Sequence, residues 1–324
     1  MANAIVIEAY GGPEVLAVQE VTVGAPAVGQ VRLRHTRIGV NFHDVYVRSG
    51  LYKTLSLPGT PGIEAVGVVV ECGSGVTRWK PGDRVAYVTG TYGVYAEERL
   101  IDASLLEGVP ASVSDDVAAS ALLRGLTVEM LLGRVHHVNA GDWILVQAAA
   151  GGVGQLLCRW ASHLGARIIG TVLGEEQAAV ASAAGCHLTV DARTEDVVQR
   201  VREATGGTGV AVAYDGVGKE SFSASLDALD YCGHLVNFGQ ASGPVPPFEI
   251  ARLAARSSTV SRPIIFHYLR DAAQRGAMAA NVFDALESGW LTVNPPRTFA
   301  LADAAEAHRV IESSGATTPL LLVP

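Results

Sequence analysis

The chain has 324 residues, 49% of them hydrophobic and 17% charged, with a formal net charge of −8. That length suits two domains better than one core, and the acidic balance argues against a nucleic-acid surface, which is normally basic. No uninterrupted apolar run approaches the ~18 residues of a membrane span, so neither nucleic acid nor membrane is an expected partner.

Met1-Ala2-Asn3-Ala4-Ile5-Val6 lacks the basic head and long apolar stretch of a signal peptide and reads as a first strand. Residues 1 to about 125 carry short alternating or apolar runs, among them Ala4–Glu8, Gln30–Ile38, Gly67–Cys72 and Arg84–Val88. Gly11-Gly12-Pro13, Pro61-Gly62 and Lys80-Pro81-Gly82-Asp83 break them, a pattern that predicts a strand-rich, barrel-like domain. Residues 115 to 135 turn helical, with Ser114 as cap and Asp115-Asp116 in the first turn.

The stretch 143–172 is the most informative. Trp143–Gln147 is a short apolar run, read as a buried strand, and Ala149-x-Gly151-x-x-Gly154 follows at once. Helical spacing runs from Val153 to His163, Gly165 stops it, and Ala166–Val172 is a second strand. Strand, small-residue turn, helix and strand at this spacing predict a dinucleotide fold. Small side chains let the backbone approach a pyrophosphate, whose charge sits at the open N–H groups of the helix. Further strands are predicted at 187–190, 210–214, 234–238 and roughly 258–261, alternating with helices as in a parallel, doubly wound sheet. The tail holds helical stretches around 268–288 and 302–314 and a strand at 320–323. Cys72, Cys158, Cys186 and Cys232 form no C-x-x-C pair and no zinc spacing, which suits a reducing cytoplasm.

Several motifs together resemble one family. They are Gly11-Gly12-Pro13-Glu14-Val15-Leu16, Asn41-Phe42-His43-Asp44-Val45-Tyr46, Arg48-Ser49-Gly50-Leu51-Tyr52, Lys80-Pro81-Gly82-Asp83-Arg84-Val85, Gly125-Leu126-Thr127 and Ala148–Gly154. Over its whole length the chain resembles the zinc-free medium-chain dehydrogenase/reductases, and within them the zeta-crystallin-like quinone oxidoreductases. The resemblance implies an α/β fold: a GroES-like strand-rich catalytic domain, residues 1–125 completed by 262–324, and a Rossmann domain, residues 126–261, with the cofactor cleft between them. It also implies NADPH as hydride donor, a quinone as substrate and a homodimer. Phe248–Leu253 and the edge strand near 258–261 are the expected interface, since an exposed sheet edge invites pairing across a two-fold.

Zinc-dependent relatives carry a cysteine where this chain has Asn41 and a histidine where it has Ile63, so no metal is expected. His43 stands alone, without partners at ligand spacing, and reads as a hydrogen-bonded or exposed side chain. Without a Lewis acid, reduction of an electrophilic conjugated carbonyl becomes the expected reaction. By resemblance Asn41, Tyr46 and Tyr52 are the catalytic candidates: Asn41 as an amide donor at nicotinamide and substrate, the tyrosines as flat apolar walls. The alternatives are a loop-stabilising Asn41 and two packing tyrosines.

For the cofactor, resemblance points to Asn41, Thr127, Met130, Ala149, Gly151, Gly152, Val153 and Gly154. It adds Leu173, Gln177, Ala192 and Arg193, then Phe238, Gly239, Gln240 and Ala241, and finally Pro263, Ile264 and Ile265. Similar reductases hold the 2′-phosphate of NADPH with a lysine at the place of Gln177 and a tyrosine at that of Ala192. Close relatives have a tyrosine for Met130 and an arginine for Ser314. Arg193 is the nearest cation that could substitute. Glu175 or Glu176 could instead favour NAD by binding ribose hydroxyls, or simply occupy the first turn of a helix. Two further functions stay open at this point, a 2-enoyl or alkenal reductase and a non-enzymatic NADPH-binding or RNA-binding crystallin-like protein.

Overall fold

The computed structural model describes residues 1–313 and 317–324, so Ser314 lies outside the described residues. The chain divides into two compact units. One comprises Met1–Leu123, Leu269–Glu287 and Val293–Pro324, the other Arg124–Tyr268 and Ser288–Thr292.

The first unit opens with β1 (Ala2–Val6) and β2 (Ala17–Val21), paired antiparallel. β3 (Gln30–Val40) leads directly into the short helix α1 (Phe42–Arg48). β4 (Glu64–Cys72), β5 (Arg84–Val88), β6 (Glu98–Asp102) and β7 (Glu107–Gly108) follow. In β3 the buried positions Val31, Leu33 and His35 alternate, then Ile38, Gly39 and Val40 are buried in succession. Two register shifts against β4, at Arg32/Leu33 and His35/Arg37, break the period of two. His35 is tolerated inside because Nδ1 meets the Ala96 carbonyl at 2.6 Å and Nε2 the Tyr87 hydroxyl at 2.8 Å. Burial lowers its pKa to about 4, so it is neutral.

Helix α2 (Asp115–Met130) carries the chain from one unit into the other. Ser114 Oγ accepts from the Val117 N–H at 3.2 Å, the expected cap. The regular helix stops at Met130, and Leu131–Val135 continues it as a wider π turn instead of the α-helix expected to 135.

The second unit runs β8 (Trp143–Val146), α3 (Gly152–His163), β9 (Arg167–Val172), α4 (Glu175–Ala183), β10 (Leu188–Asp191) and α5 (Val197–Ala204). It continues with β11 (Val210–Asp215), α6 (Phe222–Asp227), β12 (Leu229–Asn237), β13 (Thr259–Ser261) and α7 (Ile265–Tyr268). The strands form one parallel sheet in the order β10-β9-β8-β11-β12-β13. Counted from β8 that is 3-2-1-4-5-6, the doubly wound order of dinucleotide-binding domains. Leu145, Ile169, Val190, Ala213 and Leu235 are fully buried along its middle, because helices on both faces require apolar strands throughout.

The chain then returns to the first unit as α8 (Ala272–Glu287), β14 (Arg297–Ala300), α9 (Ala304–Glu312) and β15 (Leu320–Val323). β15 pairs antiparallel with β3, which completes the sheet β14-β15-β3-β4-β5-β7, with β6 on β3.

Several boundaries differ from expectation. The helix expected at 268–288 is α8, which begins only at Ala272, where Asp271 Oδ1 accepts from the Gln274 N–H at 2.7 Å; the short α7 ends at Tyr268 before it. β12 begins at Leu229, five residues earlier than expected at 234, and passes Cys232 at φ 59° beside a register shift against β11. β4 begins at Glu64 rather than Gly67, and α9 covers 304–312 rather than 302–314. Helix α1 and strands β2, β6 and β14 had no counterpart in the periodicity.

Candidate active site

In the second unit, the turn after β8 is shaped for close approach by a ligand. Ala148 sits at φ 52°, uncommon for a residue with a Cβ. A Cβ on Gly154 would lie 2.3 Å from the Ala148 carbonyl oxygen and 2.8 Å from Ala149 Cα, so only glycine lets α3 pack this tightly on the turn. Gly151 is the N-cap and offers no side chain to the first-turn N–H groups of α3. Those donors and the positive end of a twelve-residue helix suit a pyrophosphate, so the residues present fit a dinucleotide.

The other expected cofactor residues gather at the same edge of the sheet, where ligands bind in doubly wound folds. Leu173 follows β9, Ala192 and Arg193 follow β10, Phe238–Ala241 follow β12 and Pro263–Ile265 follow β13. Gln177 lies in α4, where its Oε1 accepts from the Leu173 N–H at 2.9 Å. The Arg193 guanidinium reaches over the turn before α4, since a Cβ on Gly174 would meet its Nη2 at 2.6 Å. Its partner is Asp191, with Nη2 3.2 Å from Oδ2. Glu175 and Glu176 occupy the first turn of α4 and are exposed. Thr127 is half-buried on α2, whereas Met130, on the same helix, is only 1% exposed and packs in the core.

In the first unit, Asn41 follows β3 and is the N-cap of α1. Its Nδ2 donates to Glu64 Oε1 at 2.7 Å, and Glu64 Oε2 accepts from the Leu123 N–H at 2.9 Å. Glu64 is 1% exposed, and the space for its carboxylate is left by Gly39, whose Cβ would lie 2.3 Å from Oε1. The amide of Asn41 is therefore oriented by a buried carboxyl group. Ile63, at the place of a zinc ligand in other families, is buried and apolar. Among the described residues no group of three His, Cys, Asp or Glu side chains could hold a metal ion.

Sequence reasoning overlooked a buried polar chain that fixes α1. Arg48 pairs with Glu312 through two bonds, 2.8 and 2.9 Å. Arg48 Nη1 also donates to His308 Nδ1 at 3.2 Å. Arginine can only donate, so the His308 proton is on Nε2, which meets the Tyr95 hydroxyl at 3.1 Å. Tyr95 in turn donates to Asp44 Oδ2 at 3.0 Å, and Asp44 Oδ2 also accepts from the Asn41 N–H at 2.9 Å. Burial, opposed in part by these bonds, pushes the Asp44 carboxyl up to about 7, and burial lowers His308 to about 3. These partners stand between 44 and 312 in sequence, and no local spacing connects them.

Tyr46 and Tyr52 meet edge-to-face with ring centroids 5.0 Å apart. His43 packs on Tyr52 at 5.6 Å and stacks on Tyr92 at 6.0 Å, so α1, the loop after it and the loop after β5 contribute to one continuous aromatic cluster.

Two family models match the chain, the alcohol dehydrogenase GroES-like domain over residues 27–111 and the zinc-binding dehydrogenase over 152–280. A quinone oxidoreductase of Pseudomonas aeruginosa is 41% identical over the full length of both chains. A 2-haloacrylate reductase of a Burkholderia species is also 41% identical, over all of this chain and 99% of its own. Among solved structures, the Escherichia coli quinone oxidoreductase complexed with NADPH superposes with a TM-score of 0.97 at 38% identity, covering both chains completely. With a GroES-like domain, a 3-2-1-4-5-6 Rossmann sheet and relatives of this identity over its whole length, the chain belongs to the quinone oxidoreductase family of the medium-chain dehydrogenase/reductases.

Proposed function

We propose that the protein is a zinc-independent NADPH:quinone oxidoreductase. The observation that carries this reading is the uncapped helix start after β8 with its glycine-only packing, in a chain 41% identical to a quinone oxidoreductase end to end. When bound, NADPH supplies the hydride. The Ala149–Gly154 backbone holds the pyrophosphate, with Thr127, Leu173, Gln177, Ala192, Phe238–Ala241 and Pro263–Ile265 as further cofactor contacts. Arg193 supplies the cation for the 2′-phosphate in place of the missing lysine and tyrosine. Asn41, held by Glu64, offers its amide, and Tyr46 and Tyr52 form the walls for a flat substrate. Residues 1–125 with 262–324 make the catalytic domain in this reading, and 126–261 the cofactor domain.

Calorimetric titration with NADPH and NADH tests the cofactor. NADPH should bind at least tenfold tighter, about 1.4 kcal/mol; equal binding would mean that Gln177 and Ala192 mark a change to NAD. A second reading, reduction of an activated C=C bond, is favoured by the equally similar 2-haloacrylate reductase. Steady-state assays with 1,4-benzoquinone and with 2-chloroacrylate separate the two.

The assembly proposed is a homodimer through β13, the last strand of its sheet, with Phe248 and the 79%-exposed Ile250 beside it. Equilibrium sedimentation yielding only monomer would remove it. A reducing cytoplasm is proposed on the four free thiols. Among the described residues no helix is long and apolar enough to cross a membrane.

A further inference from the structure

We propose that His43 is a catalytic residue of the reduction, delivering a proton to the substrate oxygen along the path Thr54–Tyr92–His43. The inference rests on the reading of Tyr46 and Tyr52 as substrate walls, because His43 continues their aromatic surface through its contact with Tyr52.

Adding a hydride to a quinone gives a hydroquinone monoanion, whose oxygen charge needs a donor as it develops. Asn41 Nδ2 gives one of its two N–H bonds to Glu64 Oε1; its amide can hydrogen-bond the developing charge but does not release a proton. His43 Nε2 lies 3.3 Å from the Tyr92 hydroxyl, which in turn contacts Thr54 Oγ1 in a short hydrogen bond. Tyr92 is 7% exposed and Thr54 is exposed, so the three side chains lead from solvent to a half-buried imidazole.

Tyr92 is also held against its backbone preference. It sits at φ 56°, where a bulky residue is an outlier, and Arg99 Nη1 fixes its carbonyl at 2.6 Å. The same distortion stacks its ring on His43. Burial lowers the His43 pKa to about 4, which keeps the imidazole neutral and able to accept at one nitrogen while donating at the other.

The step balances without a new reactant. The Nδ1–H bond breaks as the substrate O–H bond forms, Nε2 takes the Tyr92 proton, Tyr92 takes that of Thr54, and water reprotonates Thr54. With the hydride, one quinone and one proton become one hydroquinone.

The test uses the full chain, NADPH and 1,4-benzoquinone, with His43→Ala and Tyr92→Phe as variants. His43→Ala should lower kcat about 100-fold, the usual scale of such donors, while KM and the NADPH Kd stay within about twofold. Added imidazole should restore at least about tenfold of that loss, which a purely structural role would not permit. Tyr92→Phe keeps the ring and removes only the hydroxyl; it should lower kcat about tenfold, without rescue by imidazole. Full rates in both variants, or a loss in His43→Ala that imidazole does not restore, would overturn the relay while leaving the quinone reductase reading intact. A parent protein inactive on both 1,4-benzoquinone and 2-chloroacrylate would overturn that reading, and the relay with it.

Discussion

The turn after β8 and the polar cluster around α1 are held in shape by opposite means. In the proposed site the turn binds through its backbone, so the sequence needs small residues at fixed spacing and nothing from afar. Around α1 side chains set the geometry, and each is held by a partner far away: Asn41 by Glu64, Asp44 by Tyr95, Arg48 by His308 and Glu312. Damage to the first should therefore act through sterics and be large. Damage to the second should act through unsatisfied polar groups and depend on pH.

The largest effect is expected for Gly154→Val. Its Cβ would meet Ala148 and Ala149 backbone atoms at 2.3–2.9 Å, and backbone cannot step aside as a flexible side chain can. Denaturant unfolding should show a loss of about 3 kcal/mol, and calorimetry no measurable NADPH binding. Full NADPH affinity in this variant would sink the assignment of the turn to the cofactor.

Asn41→Ala removes the donor to Glu64 Oε1 and leaves a buried carboxylate oxygen without that bond. Urea unfolding should register a loss of about 1–3 kcal/mol, with kcat falling and the NADPH-binding turn untouched. Unchanged stability together with a large rise in KM alone would instead make Asn41 a substrate contact with no structural share.

Asp44 sets the pH dependence of the same cluster. Its carboxyl titrates near 3.8 in the unfolded chain and at about 7 in the fold, so the folded state holds the proton more tightly. Its contribution to stability is complete below about pH 4 and lost as pH rises through about 7. Asp44→Asn cannot ionise, so its stability relative to the parent should rise across that window. Thermal unfolding of both proteins at a series of pH values measures it, and parallel curves would show that the buried carboxyl does not titrate as described.

The smallest effect belongs to Arg193→Ala. The side chain is exposed and shared with Asp191, so solvent screens it. NADPH affinity should weaken severalfold with NADH affinity unchanged, read by paired titrations. An equal loss for both cofactors would place Arg193 away from the 2′-phosphate.

By itself the sequence determined the dinucleotide half of the protein. Apolar runs such as Trp143–Val146 and Arg167–Val172 stand where the strands stand, because a strand buried on both faces must be apolar throughout. Ala149, Gly151 and Gly154 were readable as a tight strand-to-helix turn because helix packing this close tolerates only small residues. The motif Asn41–Tyr46 could be singled out only by resemblance, since a seven-residue helix such as α1 is too short to show a period. Tertiary structure alone decided that Gly39 makes room for Glu64, that Met130 packs in the core, and that His43, solitary in sequence, stands between Tyr52 and Tyr92. It also decided the chain from Glu312 to Asp44, whose members come from three separate segments, α9, the loop before β6 and α1. Buried polar groups must find partners, but any element may supply them, so their identity emerges only when the chain has folded.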